Sequence, residues 1–206
     1  MSKLVIVKGI QRSGTNVVQT VLERNFRGVT PYYQHKHEMP LKGPADAPII
    51  VCVKDPYAWL YSIYNRSKHV KRYSRYRNLA TFLRSELRMP KKVGSSRHQL
   101  PILCWNGLNR AWAMGIVGRP MLLVHCENWL TQEDGVLCLQ AIAEFIKKPL
   151  RSQVIPKDVK PHPPGFFPKK WYINQEYLAH FSADDMAFIR KHIDHKLANF
   201  LDYQII

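Results

Sequence analysis

Acidic residues are scarce in this chain: 15 Asp and Glu face 31 Lys and Arg among 206 residues, a formal charge of +16. That balance argues against cationic partners and points to anionic ones. Cysteine is sparse too. The four present, Cys52, Cys104, Cys126 and Cys138, lie in or beside apolar stretches and share no CxxC spacing. They read as buried, reduced thiols rather than a disulfide framework, and a cytoplasmic location is the expectation. Long apolar runs are absent, so no membrane span is expected. The chain enters an apolar strand pattern at Leu4, which speaks against a secretory leader. No repeat, low-complexity tract or composition break divides the sequence, and residues 1–206 are expected to form one domain.

What is present begins with LVIVKGIQRSGTN, residues 4–16. Leu4, Val5, Ile6 and Val7 are aliphatic without alternation, the pattern of a strand buried on both faces of a parallel sheet. Gly9 and Gly14 bracket a turn, and Val17, Val18, Val21 and Leu22 then recur at helical spacing. A strand, a glycine loop and a helix N-terminus make an anion site, because amide N–H groups converge there and the helix dipole favours negative charge. The spacing from Gly9 to Gly14 fits the start of the nucleotide loop GxxxxGK[ST]. Thr15 and Asn16 nevertheless stand where that loop needs Lys and a magnesium-binding hydroxyl. Arg12 brings the positive charge from inside the loop.

A second strand–helix unit follows in IIVCVKDPYAWLYSIY, residues 49–64. Ile49 to Val53 form a continuous apolar run, Asp55 is placed to cap a helix and Pro56 to open it. Leu60, Ile63 and Tyr64 form the apolar stripe of that helix, with Ser62 directed away from it. The two units together predict an α/β fold of three layers, with a central parallel sheet and helices on both faces, of the P-loop nucleoside-phosphate type.

The RSGT loop and the KDPxxxxxS pattern resemble the sulfotransferases that use 3′-phosphoadenosine 5′-phosphosulfate (PAPS) as donor. The resemblance covers most of the chain in order, although only these two motifs are specific. It implies that Arg12, Ser13, Gly14, Thr15 and Asn16 surround the 5′-phosphosulfate, with backbone amides of Ser13, Gly14 and Thr15 holding it. It also implies that Lys54 and Ser62, eight positions apart, hold the 3′-phosphate. Family members usually carry Arg where Lys54 stands, so the bidentate fork is replaced by a point charge. They also often carry Thr-Trp where Asn16 and Val17 stand, so one adenine-stacking aromatic is missing.

In QHKHEMP, residues 34–40, the resemblance makes His37 the base that takes the acceptor's proton, with Lys36 supporting the departing phosphate. His35 and Glu38 are rivals for the base. A metal is not expected, because His-x-His lacks further ligands at credible spacing. In family members a basic loop near the C-terminus covers the 3′-phosphate, and an aromatic there lies on adenine. Phe166, Phe167, Lys169 and Lys170 are candidates for those roles without a motif to fix them.

Further along, residues 101–117 read as an amphipathic helix, Met121–Val124 as a strand, Gly135–Lys147 as a helix, and Ser182 to about residue 200 as a last helix. Residues 66–77 carry six Lys/Arg and no acid, interleaved with Tyr73 and Tyr76. Arg84, Arg88, Lys91, Lys92 and Arg97 extend this charge, which suits steering of an anionic acceptor such as an acidic carbohydrate or equally a solvated surface. Two other functions fit less of the sequence. A P-loop kinase of a small metabolite or nucleic acid shares the sheet and glycine loop, and a non-catalytic nucleic-acid binder would use the basic stretch alone.

Overall fold

A computed structural model describes residues 2–32, 37, 43–68, 76–87, 99–113, 118–155 and 169–206. Among them, β1 (Lys3–Gly9), β2 (Val29–Tyr32), β3 (Ile49–Val53) and β4 (Met121–His125) form one sheet in the order β2-β1-β3-β4. Every pairing is parallel, with Gly9 opposite Cys52 and Val53 opposite His125. Helix α1 (Thr15–Asn25) connects β1 to β2. The segment from β3 to β4 contains α2 (Pro56–Lys68), α3 (Leu79–Arg84) and α4 (Pro101–Ala113). Beyond β4 come α5 (Gln132–Ile146), α6 (Lys169–Ile173), α7 (Ala183–His192) and α8 (His195–Phe200).

Alternation along the central strands divides the core in two. Val5, Val7, Ile50 and Cys52 face one side, where they pack with Val18, Val21 and Leu22 of α1 and Leu139, Ile142 and Ile146 of α5. Ile6, Ile49, Val51 and Val53 face the other, against Trp59 and Leu60 of α2, Trp105 and Trp112 of α4, and Ile189 and Leu197 of α7 and α8. Both faces of β1 and β3 are therefore dry, which explains why their sequences do not alternate between apolar and polar residues. The result is the expected three-layer α/β fold with a central parallel sheet. Among the described residues, no helix is long and apolar enough to cross a membrane.

Several boundaries differ from expectation for visible reasons. The last helix is two helices. Asn106 of α4 donates to the His192 carbonyl at 2.8 Å and accepts from the Asp194 amide at 3.0 Å. One side chain thus satisfies both backbone ends of the break, and Asp194 caps α8 through the Leu197 amide. Helix α5 begins at Gln132 rather than Gly135, because Thr131 accepts from the Asp134 amide as its cap. Gly135 lies inside the first turn, where an added Cβ would come within 2.9 Å of Ile155. Helix α4 is described to Ala113, and residues 114–117 of its expected span lie outside the described residues. The short strand β2 contains Pro31 and was not foreseen; it joins the sheet through β1 only.

Two buried indoles carry the fold toward its functional end. Trp105 donates through Nε1 to the Lys54 carbonyl at 3.0 Å, and Trp59 donates to the Gln11 carbonyl at 2.7 Å. Each holds the first residues after a strand, where backbone carbonyls have left the sheet ladder. Trp105→Phe leaves the Lys54 carbonyl buried without its donor, at a cost of about 1–3 kcal/mol before any cavity is counted. Equilibrium urea unfolding should report a loss at least that large, and an unchanged midpoint and slope would show that the indole N–H contributes nothing.

Candidate functional site

Strand order reverses between β1 and β3. The chain leaves β1 toward β2 on one side, and it leaves β3 toward β4 on the other. The crevice beyond the carboxyl ends of such a strand pair is the usual ligand position in open parallel sheets. The loop 9–14 and the turn at Lys54 both emerge there.

Backbone geometry shapes the loop. At Gly9, a Cβ would lie 2.5 Å from Ser13 Oγ and 2.6 Å from the Cys52 carbonyl, so only glycine fits. Gly14 has φ 86° and precedes α1 directly, with Cys126 Sγ 3.1 Å from where its Cβ would be. Arg12 also has a left-handed backbone, φ 74°, without a glycine's freedom. Ser13 is fully buried, and both its hydroxyl and its amide donate to the Ile10 carbonyl, at 2.8 and 3.2 Å. Ser13 therefore closes the loop on itself. The first bonds of α1 run from the Val17 and Val18 amides to the Gly14 carbonyl. Thr15, which is buried, and Asn16, which is exposed, thus occupy the positive end of the helix dipole.

Residues far apart in sequence meet at this loop. Arg12 Nε donates to Ser62 Oγ at 3.0 Å, across a separation of 50 residues. Ser62 is buried, at 2% exposure, not solvated on the outer face of α2. Lys54, also buried, places its ammonium 4.3 Å from the centre of the Tyr172 ring. Burial pulls the Arg12 guanidinium down from its ordinary pKa. Tyr172 opposes that change and Arg66, one turn beyond Ser62, adds to it. Arg12, Lys54, Ser62, Arg66 and Tyr172 therefore share one electrostatic neighbourhood, in which a bound anion would relieve the cost of burying cations.

His37 lies at the same mouth. Its Nδ1 is 2.7 Å from the Gly9 carbonyl. A carbonyl only accepts, so Nδ1 carries the proton, and in the neutral ring Nε2 is the basic nitrogen. Lys36, His35 and Glu38 lie outside the described residues, as do Phe166 and Phe167. Lys169 and Lys170 open α6. The basic stretch is described only at its ends: Arg66 and Arg77 are exposed, whereas Arg84 is tied to Asp185 and stacks over Phe188. Tyr76 is a core residue packed edge-on against Phe82, which removes it from any acceptor surface.

Behind Lys54 lie two half-buried acids, Asp55 and Glu127. Asp55 Oδ1 accepts from the Ala58 amide at 2.7 Å, the expected cap of α2. Glu127 accepts from the Asp55 amide at 3.0 Å and from the Tyr203 hydroxyl at 3.1 Å. Burial pushes the Asp55 carboxyl up to about 7, with Glu127 adding to the rise and the Ala58 amide and Lys54 opposing it. A neutral Asp55 leaves the field at Lys54 more positive. Cys126, against Gly14, is pushed up to about 11 by burial and remains a thiol near neutral pH.

No family model, curated protein or solved structure matches this chain. The site is therefore described by its own geometry. That geometry brings together Arg12, Ser13, Gly14, Thr15, Asn16, His37, Lys54 and Ser62, and adds Arg66, Tyr172, Asp55 and Glu127. Tyr172 lies two residues beyond Lys170 in the aromatic, basic stretch already singled out, and it was passed over because no spacing rule marks it.

Because the Asp55 carboxyl rises from 3.8 to about 7 on folding, the folded chain holds a proton between those values that the unfolded chain has released. Asp55 thus adds stability fully at the acidic end, and the contribution is lost as pH climbs through about 7. Asp55→Asn should flatten the decline of the unfolding midpoint across that window relative to wild type. Parallel profiles would assign the pH dependence to other groups.

Proposed function

We propose that this protein transfers a sulfuryl group from PAPS to an acceptor hydroxyl or amine. The observation that carries the reading is the Arg12–Ser62 contact at 3.0 Å with Lys54 beside it. It joins the glycine loop and the Lys54–Ser62 unit at one mouth, so a single ligand with two separated anionic groups can engage both. The donor set supports such a ligand: a glycine-shaped cradle at Gly9, amides at the start of α1, a buried lysine, a half-buried arginine and a buried hydroxyl.

In this reading the 5′-phosphosulfate rests against the amides of α1 with Arg12 at its bridging oxygen. The 3′-phosphate takes Lys54 and the Ser62 hydroxyl, and Arg12 turns from Ser62 to the other phosphate as the ligand enters. The acceptor oxygen or nitrogen attacks sulfur in line. One bond forms from acceptor to sulfur while the bond from sulfur to the phosphate oxygen breaks. His37 Nε2 receives the acceptor's proton, and Arg12, with Lys36 as the expected second cation, stabilises charge on the departing phosphate. Positioning and electrostatics supply most of the catalysis, as they do in phosphoryl transfer. The excess of basic residues, with Arg66 exposed at the mouth, favours an anionic acceptor, an acidic carbohydrate among them.

Thermal unfolding with 3′-phosphoadenosine 5′-phosphate, beside AMP and ATP with magnesium, tests the donor. A ligand present at 100 times its dissociation constant stabilises the folded state by about 2.7 kcal/mol. The bisphosphate should raise the midpoint more than either control, and Arg12→Ala and Lys54→Ala should each abolish most of the rise. A shift with ATP and magnesium alone would favour kinase chemistry, and no shift at all would leave the basic surface as the lead. His37→Ala should retain bisphosphate binding and lower turnover by roughly a hundredfold or more; full turnover would remove His37 from the base role.

A further inference from the structure

Lysine is a weak choice for gripping one phosphate oxygen set in a defined orientation. Its ammonium sits on a flexible four-carbon stem and lacks the planar fork with which arginine orients itself. Lys54 is nevertheless held at both ends. Its carbonyl takes the Trp105 indole N–H at 3.0 Å, and its ammonium lies 4.3 Å from the Tyr172 ring centre. Within 6 Å of a ring centre, a cation is attracted by the aromatic face.

Tyr172 is itself placed by a dense aromatic group. Its neighbour Trp171 is buried, with ring centres 5.4 Å from Tyr61 and 5.7 Å from Tyr177. Trp171 and Tyr172 meet edge to face at 4.9 Å. The five-residue α6 therefore docks through Trp171 and presents the next side chain to Lys54. Tyr172 is also within electrostatic reach of Arg12, the cation assigned to the other end of the donor.

We infer that Tyr172 is a positioning residue for the 3′-phosphate, holding the Lys54 ammonium over its ring so that the site prefers a 3′,5′-bisphosphate to a 5′-monophosphate. The inference rests on the proposed donor site and deepens it. Tyr172 acts through Lys54: the ring does the holding, and the hydroxyl is dispensable for it. The lysine–tyrosine pair thereby supplies the orientation that an arginine would carry in its own guanidinium.

The test compares wild type, Tyr172→Phe and Tyr172→Leu in two measurements. One is the ratio of dissociation constants for AMP and 3′-phosphoadenosine 5′-phosphate; the other is the rate of Lys54 acetylation by acetic anhydride, followed by mass spectrometry. Tyr172→Leu should lower the preference for the bisphosphate about tenfold while AMP affinity stays within about twofold, and should speed Lys54 acetylation. Tyr172→Phe should match wild type in both. A wild-type preference that survives Tyr172→Leu overturns the inference and leaves the donor reading standing. Equal weakening of both nucleotides, with Lys54 acetylation unchanged, also overturns it, since that is the mark of a merely structural residue. A wild-type chain without preference for the bisphosphate removes the donor reading and the role of Tyr172 together.

Discussion

Parallel pairing of β1 with β3 is the constraint from which the site follows. Gly9 stands opposite Cys52, so the loop after β1 and the turn after β3 leave the sheet side by side and in the same direction. Antiparallel strands would have sent one of them to the far edge. With β2 and β4 on opposite flanks, no strand lies between the two exits, and the helices that follow diverge to opposite faces of the sheet. The Gly9 backbone then approaches the Cys52 carbonyl more closely than any side chain permits. Arg12 can meet Ser62 only because of that approach, since each side chain is carried there by its own strand–helix unit.

Positive charge is concentrated at this crevice, with Lys54 buried and Arg12 half-buried, which is unfavourable in isolation. The structure offsets it locally. Ser62 Oγ and the Tyr172 ring are neutral acceptors that take up part of the field of Arg12 and Lys54 without cancelling their charge. Among the described residues, Asp55 and Glu127 stand behind Lys54, where Glu127 accepts from the Asp55 amide and the Tyr203 hydroxyl. Burial keeps the Asp55 carboxyl protonated up to about 7, so the nearest acid to Lys54 is largely uncharged in mildly acidic solution.

Much of this was legible in the chain. The unbroken apolar runs of β1 and β3 announced strands covered on both faces, and Asp55-Pro56 announced the start of α2. The glycines at 9 and 14, with Lys54 and Ser62, marked the two halves of the site. Their convergence depended on strand order, which local pattern does not encode. The turn that Ser13 closes on the Ile10 carbonyl was likewise not marked by any local pattern. Tyr172 carried no sequence signal, since the place it takes beside Lys54 depends on how Trp171 docks α6 against Tyr61 and Tyr177. The break between α7 and α8 was hidden for a similar reason: the apolar stripe continues through it, and the side chain that permits it, Asn106, lies in another helix. Tyr76 was misread because a tyrosine among arginines looks solvent-facing until Phe82 is placed beside it.

The left-handed backbone at Arg12, φ 74°, sets folding and binding against each other at a single residue. A side chain beyond glycine costs roughly 1–2 kcal/mol in that conformation. Glycine would relieve the backbone and remove the charge in one step, at the loss of the hydrogen bond to Ser62. An arginine held in that conformation is what the proposed anion site would require of position 12.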